Sequence, residues 1–469
     1  MLKNGGLNKL SFFRHSIGPS LRRNIIFPLY WKYIRNSNLL KCYYELKAHQ
    51  WNSLEENKKI QRKKLFNLIH YASRNITYYQ RVTSEGHIRF SEESIFEDIK
   101  KFPLLTKEIV RNEFNELYKF RDNTYYQNVT GGSTGKPVKL YQDMEYFGWA
   151  AANKILLNEW AGKKVGDPMV KLWGSTRDIL KGGRGFRGYL REKFSGIIML
   201  QSDRMTEDDL YEYVWKINHV KPVLILAFTN SINELARFIQ EHHLSVYSPS
   251  AVMTTAGVLY PEVRERIIDV FHTRAFNRYG SQEVSDIACN CEKNEGLHLN
   301  GDIHYVEIVD DDGREVDNGT AGNILVSLLT NYTMPLVRYK IEDRGILSKK
   351  PCSCGRGLPL LEKVEGRVRG NFKNKFGDCI NGGVFMDLFY SNKDIKQFQF
   401  IQEAYDHIMI NLVMTEKKNI KNPDQHFKEI NQKIYKIMGH KIKIEYNIVK
   451  EIIPSPSGKY FYFYSKVNE

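Results

Sequence analysis

At 469 residues the chain is too long for one compact unit, and length alone points to about two to four domains. Hydrophobic residues make up 42% of it, which supplies a real core and excludes a disordered tail protein. Lys and Arg number 69 against 54 Asp and Glu, a formal +15 that would suit nucleic acid, an anionic membrane or a polyanionic small substrate. We read the excess as spread over a solvated surface, with no nucleic-acid partner, because no stripe interleaves aromatic and basic residues as a known reader would.

The N-terminus, from Lys3 through Arg23, is basic and amphipathic. The apolar stretch Ile25 to Trp31 is broken by Pro28 and is far too short to span a bilayer. It has no uninterrupted apolar region and no small-residue cleavage site, so neither a signal peptide nor a transmembrane segment is expected, and the compartment is expected to be cytoplasmic. A helical lead-in packed on the main domain is the first reading; weak contact with an anionic lipid surface is the second.

Residues 33 to 122 are predicted mostly helical. In Leu54–Tyr79 the apolar positions Leu65, Leu68, Ile69 and Ala72 fall at helical spacing. Past Asp143 short apolar runs take over: Met169–Trp173, Gly196–Leu200, Val223–Phe228, Ala251–Thr255 and Arg274–Tyr279. Helical stretches Asp208–Lys216, Ser231–His242 and Pro261–Phe271 separate them, which predicts right-handed βαβ crossovers and a mainly parallel sheet. From His304 strands follow without helices: Tyr305–Val309, a turn at Asp312-Gly313, then Asn323–Leu329, an antiparallel meander. Glu365–Gly370 reads as a linker. Beyond it, Phe398–Ile401, His407–Val413, a helix over Gln425–Met438 and Ile442–Val449 suggest a small α+β domain. The expected fold is therefore α/β: a large N-terminal domain over 1–367, with a helical lead-in to about 122, and a small mobile α+β domain over 368–469.

Four segments could carry chemistry. Thr130-Gly131-Gly132-Ser133-Thr134-Gly135-Lys136-Pro137 would point backbone N–H groups, hydroxyls and a Lys into one concavity, as a triphosphate needs. Its spacing is not that of the common P-loop. Tyr279-Gly280-Ser281-Gln282-Glu283 ends a predicted strand, where open α/β sheets bind ligands; Tyr279 could cover a purine and Glu283 hold Mg²⁺. Arg338-Tyr339-Lys340-Ile341-Glu342-Asp343 offers Asp343 to both ribose hydroxyls. Pro454-Ser455-Pro456-Ser457-Gly458-Lys459 sets Lys459 on a Pro/Gly loop as a mobile positive charge. Taken singly, each has a bland reading as an ordinary loop, turn, strand end or surface lysine. Trp173, Phe228 and Asn230 follow predicted strand ends and could line an acid pocket, although core packing explains the first two equally well.

The order of these segments along one chain resembles the adenylate-forming superfamily of acyl-CoA synthetases and adenylation domains. Within it the chain is similar to the phenylacetate–CoA ligase-like family, in particular members associated with capsular polysaccharide biosynthesis. Further matches are Pro103–Lys107, Asn331–Tyr339, Cys352–Leu360 and Glu365–Val368, and the resemblance runs from about Trp51 onward. It implies ATP-dependent formation of an acyl-AMP from a carboxylic acid, then transfer to an acceptor. CoA is the first acceptor; a direct amide- or ester-forming ligase, such as one that N-acylates an amino sugar, is the alternative. A non-catalytic, zinc-stabilised binding protein is the rival of a different class, and the presence of Glu283, Asp343 and Lys459 together speaks against it.

By the same resemblance Thr130–Lys136 (Thr130, Gly132, Ser133, Thr134, Gly135, Lys136) would hold the phosphates. Gly257, Tyr279, Gly280 and Ser281 would surround the adenine, Asp343 would hold the ribose, Glu283 Mg²⁺ and Arg367 the nucleotide at the domain junction, with Lys459 on the α-phosphate. Two departures stand out: Gly131 replaces the usual Ser or Thr, and Arg369-Gly370 replaces the usual hinge residues.

Six cysteines are too few for a disulfide scaffold, but four of them form two Cys-x-Cys pairs, which points to a metal. Cys291, His298, Cys352 and Cys354 are the expected ligands of one structural Zn²⁺, and Cys289 is the competitor for a place among them.

Overall fold

The computed structural model describes residues 18–31, 37–121, 124–129, 138–173, 194–202, 205–367, 371–376, 379–381, 385, 388–389, 394–415, 423–453 and 462–467. The described residues from 37 to 121 are mostly helical, as expected. Helix α1 (Leu39–His49) precedes α2 (Leu54–Asn75), which opens with a capping box: Ser53 Oγ accepts from the Glu56 amide and the Glu56 carboxylate accepts from the Ser53 amide. Leu65, Leu68, Ile69 and Ala72 form the buried face of α2. Helix α3 (Thr77–Glu85) follows, then the short α4 (Lys107–Asn112), capped by Thr106.

Strands β1 (Tyr125–Val129) and β2 (Lys139–Asp143) pair antiparallel and flank the Gly/Ser/Thr segment in sequence, a pairing that the sequence does not announce. Helix α5 (Met144–Trp160) starts where Asp143 accepts from the Tyr146 amide. Its burial of Tyr146, Trp149, Asn153, Leu156 and Trp160 makes it a core helix.

Next come β3 (Met169–Leu172), β4 (Ile197–Leu200), α6 (Glu207–Val220), β5 (Leu224–Phe228), α7 (Thr229–Glu241), β6 (Ala251–Thr255), α8 (Pro261–Phe271) and β7 (Arg274–Ser281). All five strands of this run pair in parallel, within a residue or two of the predicted boundaries at most ends. The sheet does not stop there. β7 also pairs antiparallel with β8 (Ser285–Asn290), and β9 (Leu297–Leu299), β10 (His304–Val309), β11 (Ala321–Leu328), β12 (Tyr339–Leu347) and β13 (Leu360–Arg367) complete one sheet in the order β10-β11-β12-β13-β9-β8-β7-β6-β5-β3-β4. The predicted meander is thus continuous with the parallel part. Glu365–Arg367, expected in a linker, end strand β13, because Arg344 and Asp343 of β12 offer them ladder partners.

Alternation along the parallel strands separates two cores. Val170, Ile225, Val252 and Ala275 face α6, α7 and α8, whereas Met169, Leu226, Met253 and Phe276 face α5 and the N-terminal helices. The C-terminal part holds β14 (Asn371–Lys373), β15 (Cys379–Asn381), β16 (Ile395–Ala404), β17 (His407–Met414), helix α9 (Lys428–Met438), β18 (Lys443–Ile448) and β19 (Phe463–Ser465). Its own sheet runs β18-β17-β16-β19, packed by Phe372, Phe385, Phe398, Phe400 and Phe427. It rests on α7, where the Arg237 guanidinium donates to the Lys396 carbonyl at 2.8 Å.

Candidate active site

The strand ends of β6 and β7 bring the expected nucleotide residues together. After β6 the chain turns at Ala256, whose φ is +63°, and the Thr229 hydroxyl fixes the turn by donating to the Gly257 carbonyl at 3.2 Å. On β7 the Tyr279 hydroxyl donates to Asp343 Oδ2 at 2.9 Å, so the residue expected over a purine touches the one expected under a ribose. Gly280 is needed by close approach: a Cβ there would stand 2.4 Å from the Ser285 carbonyl oxygen. The Ser281 hydroxyl is buried without a hydrogen-bond partner among the described residues. A cavity of about 570 Å³ adjoins this turn, lined by Val258, Leu259, Asn277 and Val364 among others, within the size range of small-ligand sites. Arg367 lies opposite Asp343 in the β12–β13 ladder.

Glu283 is 5% exposed. Its Oε1 accepts from the Tyr339 hydroxyl at 3.4 Å and lies 3.9 Å from Lys107 Nζ, while Oε2 makes no hydrogen bond to a described residue. A carboxylate with one oxygen uncommitted suits a hard cation. Lys107 joins the candidate site through this contact, and in the sequence the Pro103–Lys107 run carries no sign of it. Leu105 pairs with β12 as an added rung, its amide donating to the Arg338 carbonyl and its carbonyl accepting from the Lys340 amide. That rung carries Lys107 to Glu342, 2.7 Å from its carboxylate. Glu342 has a φ of +69°, a left-handed conformation uncommon for such a residue. Arg338 is occupied elsewhere: its guanidinium is buried against Glu307 and the Lys100, Phe102 and Gly313 carbonyls, a structural hub.

The four expected metal ligands converge. The donor atoms of Cys291, His298, Cys352 and Cys354 all lie within 4.8 Å of one another. Cys291 and Cys352 sulfurs are 3.6 Å apart, and Cys354 Sγ is 3.4 Å from His298 Nε2. An edge of about 3.8 Å is what a tetrahedron with ~2.3 Å zinc–sulfur bonds requires. Cys291 Sγ accepts from the Lys293 amide and Cys354 Sγ from the Arg356 amide, each two residues on, which orients both sulfurs inward. Burial, with Arg356 nearby, pushes the His298 imidazole down to about 4, so it is neutral and free to donate a lone pair. Burial would raise the Cys354 thiol, but the Arg356 amide and guanidinium draw it below its ordinary value. Cys289 pairs with His298 across β8 and β9 but is fully buried outside this group.

The Thr130–Lys136 segment, Arg369, Gly370 and Lys459 lie outside the described residues.

Residues 372–466 match the family described as the CapK C-terminal domain. Protein CapK of Staphylococcus aureus is 22% identical over 95% of this chain and 97% of its own length. Phenylacetate–coenzyme A ligase of Thermus thermophilus is 24% identical over 67% of this chain and 71% of its own. These likenesses in sequence support the resemblance to the phenylacetate–CoA ligase-like family of the adenylate-forming superfamily. The fold agrees: the crystal structure of 2-hydroxyisobutyryl-CoA ligase in its postadenylation state with 2-HIB-AMP matches with a TM-score of 0.68, at 16% identity, over 86% of this chain and 88% of that one. No helix among the described residues is long and apolar enough to cross a membrane.

Proposed function

We propose that the chain adenylates a carboxylic acid: a carboxylate oxygen attacks the α-phosphorus of ATP, the bond to the bridging oxygen breaks, and acyl-AMP and pyrophosphate form. An acceptor nucleophile then attacks the acyl carbon and AMP leaves. The CoA thiol is the first acceptor, on the strength of the phenylacetate–coenzyme A ligase relatives. The observation that carries the reading is the Tyr279–Asp343 hydrogen bond beside the Gly257 turn, with Glu283 and Lys107 in the same strand-end cluster. One polyanion must be approached by another anion, so cationic groups and fixed donors are what the site needs. Lys136 and Lys459 would supply them to the phosphates. Glu283 would hold Mg²⁺, which supplies neutralisation of phosphate charge when bound. Tyr279, Gly257 and Asp343 orient the nucleotide so that attack occurs in line.

Cys291, His298, Cys352 and Cys354 would hold one structural Zn²⁺, a filled shell with no open position for catalysis. Residues 1–367 would act as the AMP-binding domain and 368–469 as a lid that turns about Arg369 and Gly370. The place in capsular polysaccharide biosynthesis rests on the sequence resemblance.

The test is ATP–pyrophosphate exchange across a panel of carboxylates, followed by CoA or an amine with the best acid. Acid-dependent exchange is expected, then thioester on adding CoA. Amide in its place would move the acceptor to an amine, and ATP binding without exchange for any acid would exclude adenylation.

A further inference from the structure

Consecutive residues of a strand face opposite ways. On β7, Tyr279 reaches Asp343 on the nucleotide side, so Arg278 turns to the other face, under α5. The register places Lys171, Leu226, Met253 and Phe276 in one row across β3, β5, β6 and β7. Leu226, Met253 and Phe276 pack in the cluster that contains the α5 residues Trp149 and Leu156, so α5 roofs this face. Asn153 of α5 also donates to the Asp286 carbonyl at 2.8 Å. One step nearer the strand ends stand Arg278, two residues beyond Phe276, and the ring pair Trp173–Phe228, with centroids 4.4 Å apart.

Charges occupy this roofed face where apolar packing would cost least. Arg278 is 5% exposed and Asp286 8%. Their side chains are 3.3 Å apart, yet neither Arg278 Nε nor Asp286 Oδ2 makes a hydrogen bond among the described residues. Lys171 is partly buried, and its ammonium has neither a hydrogen bond nor an ion pair with any described residue. Burial, with the charges of Arg278, Lys154 and Lys163, pushes its ammonium down to about 7 against the opposing charge of Asp286. Buried charges are normally paired, and a cation left without a partner beside a reaction centre signals the atoms of a ligand.

We propose that this face is the acid pocket, and that Lys171 and Arg278 receive a second anionic group of the substrate. The acid is then a short dicarboxylic acid, in contrast to a plain fatty or aromatic one. This rests on the adenylation reading above. Two residues separate Arg278 from Gly280, roughly 7 Å at ~3.3 Å per residue, which is about the span of a four- to six-carbon diacid. One carboxylate lies toward the α-phosphate at the strand ends; the other points inward to the two cations. Trp173 and Phe228 cover the methylene chain between them.

The experiment uses the full chain with succinate, glutarate and adipate against butyrate, valerate and hexanoate. Pyrophosphate exchange gives kcat/KM, and thermal shift in the presence of AMP gives binding. The wild type should favour diacids at least about tenfold, the scale of one charge-assisted hydrogen bond. Lys171→Met should cut that ratio about tenfold or more while Lys171→Arg keeps most of it, and the methionine variant should fold at least as stably, since it removes an unpaired buried charge. The diacid KM should rise with pH above about 7, where Lys171 loses its proton. Equal or better use of monoacids by the wild type, or an unchanged ratio in folded Lys171→Met, overturns the proposal and leaves adenylation standing. Diacid binding that depends on Lys171 without any exchange upholds the pocket and removes adenylation. Neither binding nor exchange overturns both.

Discussion

At the residue scale the site divides into groups fixed by the fold and groups brought to it. Glu283 is fixed: its backbone carbonyl accepts from the Gln142 side chain and its Oε1 from Tyr339. Changing Glu283→Gln keeps the shape and removes the charge, so the Mg²⁺ concentration needed for half-maximal exchange should rise at least about tenfold. An unchanged Mg²⁺ dependence would remove Glu283 as a ligand. Lys459 falls within the 372–466 match, and on the lid reading proposed above it should matter only while that part of the chain covers ATP. Lys459→Ala should abolish pyrophosphate exchange yet leave thioester formation from supplied acyl-AMP within a few-fold of wild type; equal loss of both half-reactions would refute the assignment. Tyr279, Gly280, Glu283 and Asp343 were legible in the sequence because one short motif delivers each. Lys107, Lys171 and Arg278 were not. Lys107 reaches Glu342 across 235 positions of chain, and Lys171 sits in a strand whose neighbours all read as core.

At the element scale two devices tie distant loops together. The first is the cysteine–histidine group, which joins the β8–β9 connection to the loop before β13. Elemental analysis should find about one zinc per chain, lost in Cys354→Ser and kept in Cys289→Ser. A metal-free wild type of normal stability would end that assignment. The second is Asp302, buried between Lys64 of α2 at 2.7 Å and His49 of α1 at 3.1 Å. Burial alone would raise its carboxyl, but His49 and Lys64 hold it below the usual range. A depressed carboxyl contributes stability that is present above its unfolded pKa of ~3.9 and lost as pH falls through the folded value. His49, raised by its bond to Asp302, works in the other direction: its contribution is complete below ~6.5 and fades as pH rises through its folded value. Asp302→Asn should therefore cost about 3 kcal/mol near neutral pH by denaturant titration, and the deficit should shrink in acid. Of this region periodicity gave the buried face of α2, but the segment Leu54–Tyr79 runs across the break at Ile76 between α2 and α3, and neither α1 nor β9 left a pattern. The ion pairs were not legible, because nothing local in His49 or Lys64 distinguishes them from surface residues.

At the scale of the whole molecule, the alternation of strand and helix from residue 169 to 281 was legible because each element repeats its own period. The join between halves was hidden. β7 belongs to both a parallel and an antiparallel ladder, and β9, with three residues, is too short to leave a pattern. The small domain was legible as α+β, but not the parallel return of β19 beside β16. If residues 367–370 are the pivot of a turning lid, Arg369→Pro should freeze one orientation. One half-reaction should then fall at least about tenfold more than the other, measured as exchange against acyl-AMP consumption; two wild-type rates would place the pivot elsewhere.

The Leu105 rung on β12 also has a consequence for biosynthesis. Helices α1 to α3 lead into a segment whose partners, Arg338 and Lys340, leave the ribosome more than two hundred residues later. At roughly 5–20 residues per second, that is a wait on the order of tens of seconds. Throughout it, the apolar face of α2, with Leu65, Leu68 and Ile69, has no sheet to lie against. A nascent chain stalled before β12 should therefore hold on to a chaperone and be cut readily by protease in α2, and both should cease once β13 has cleared the exit tunnel.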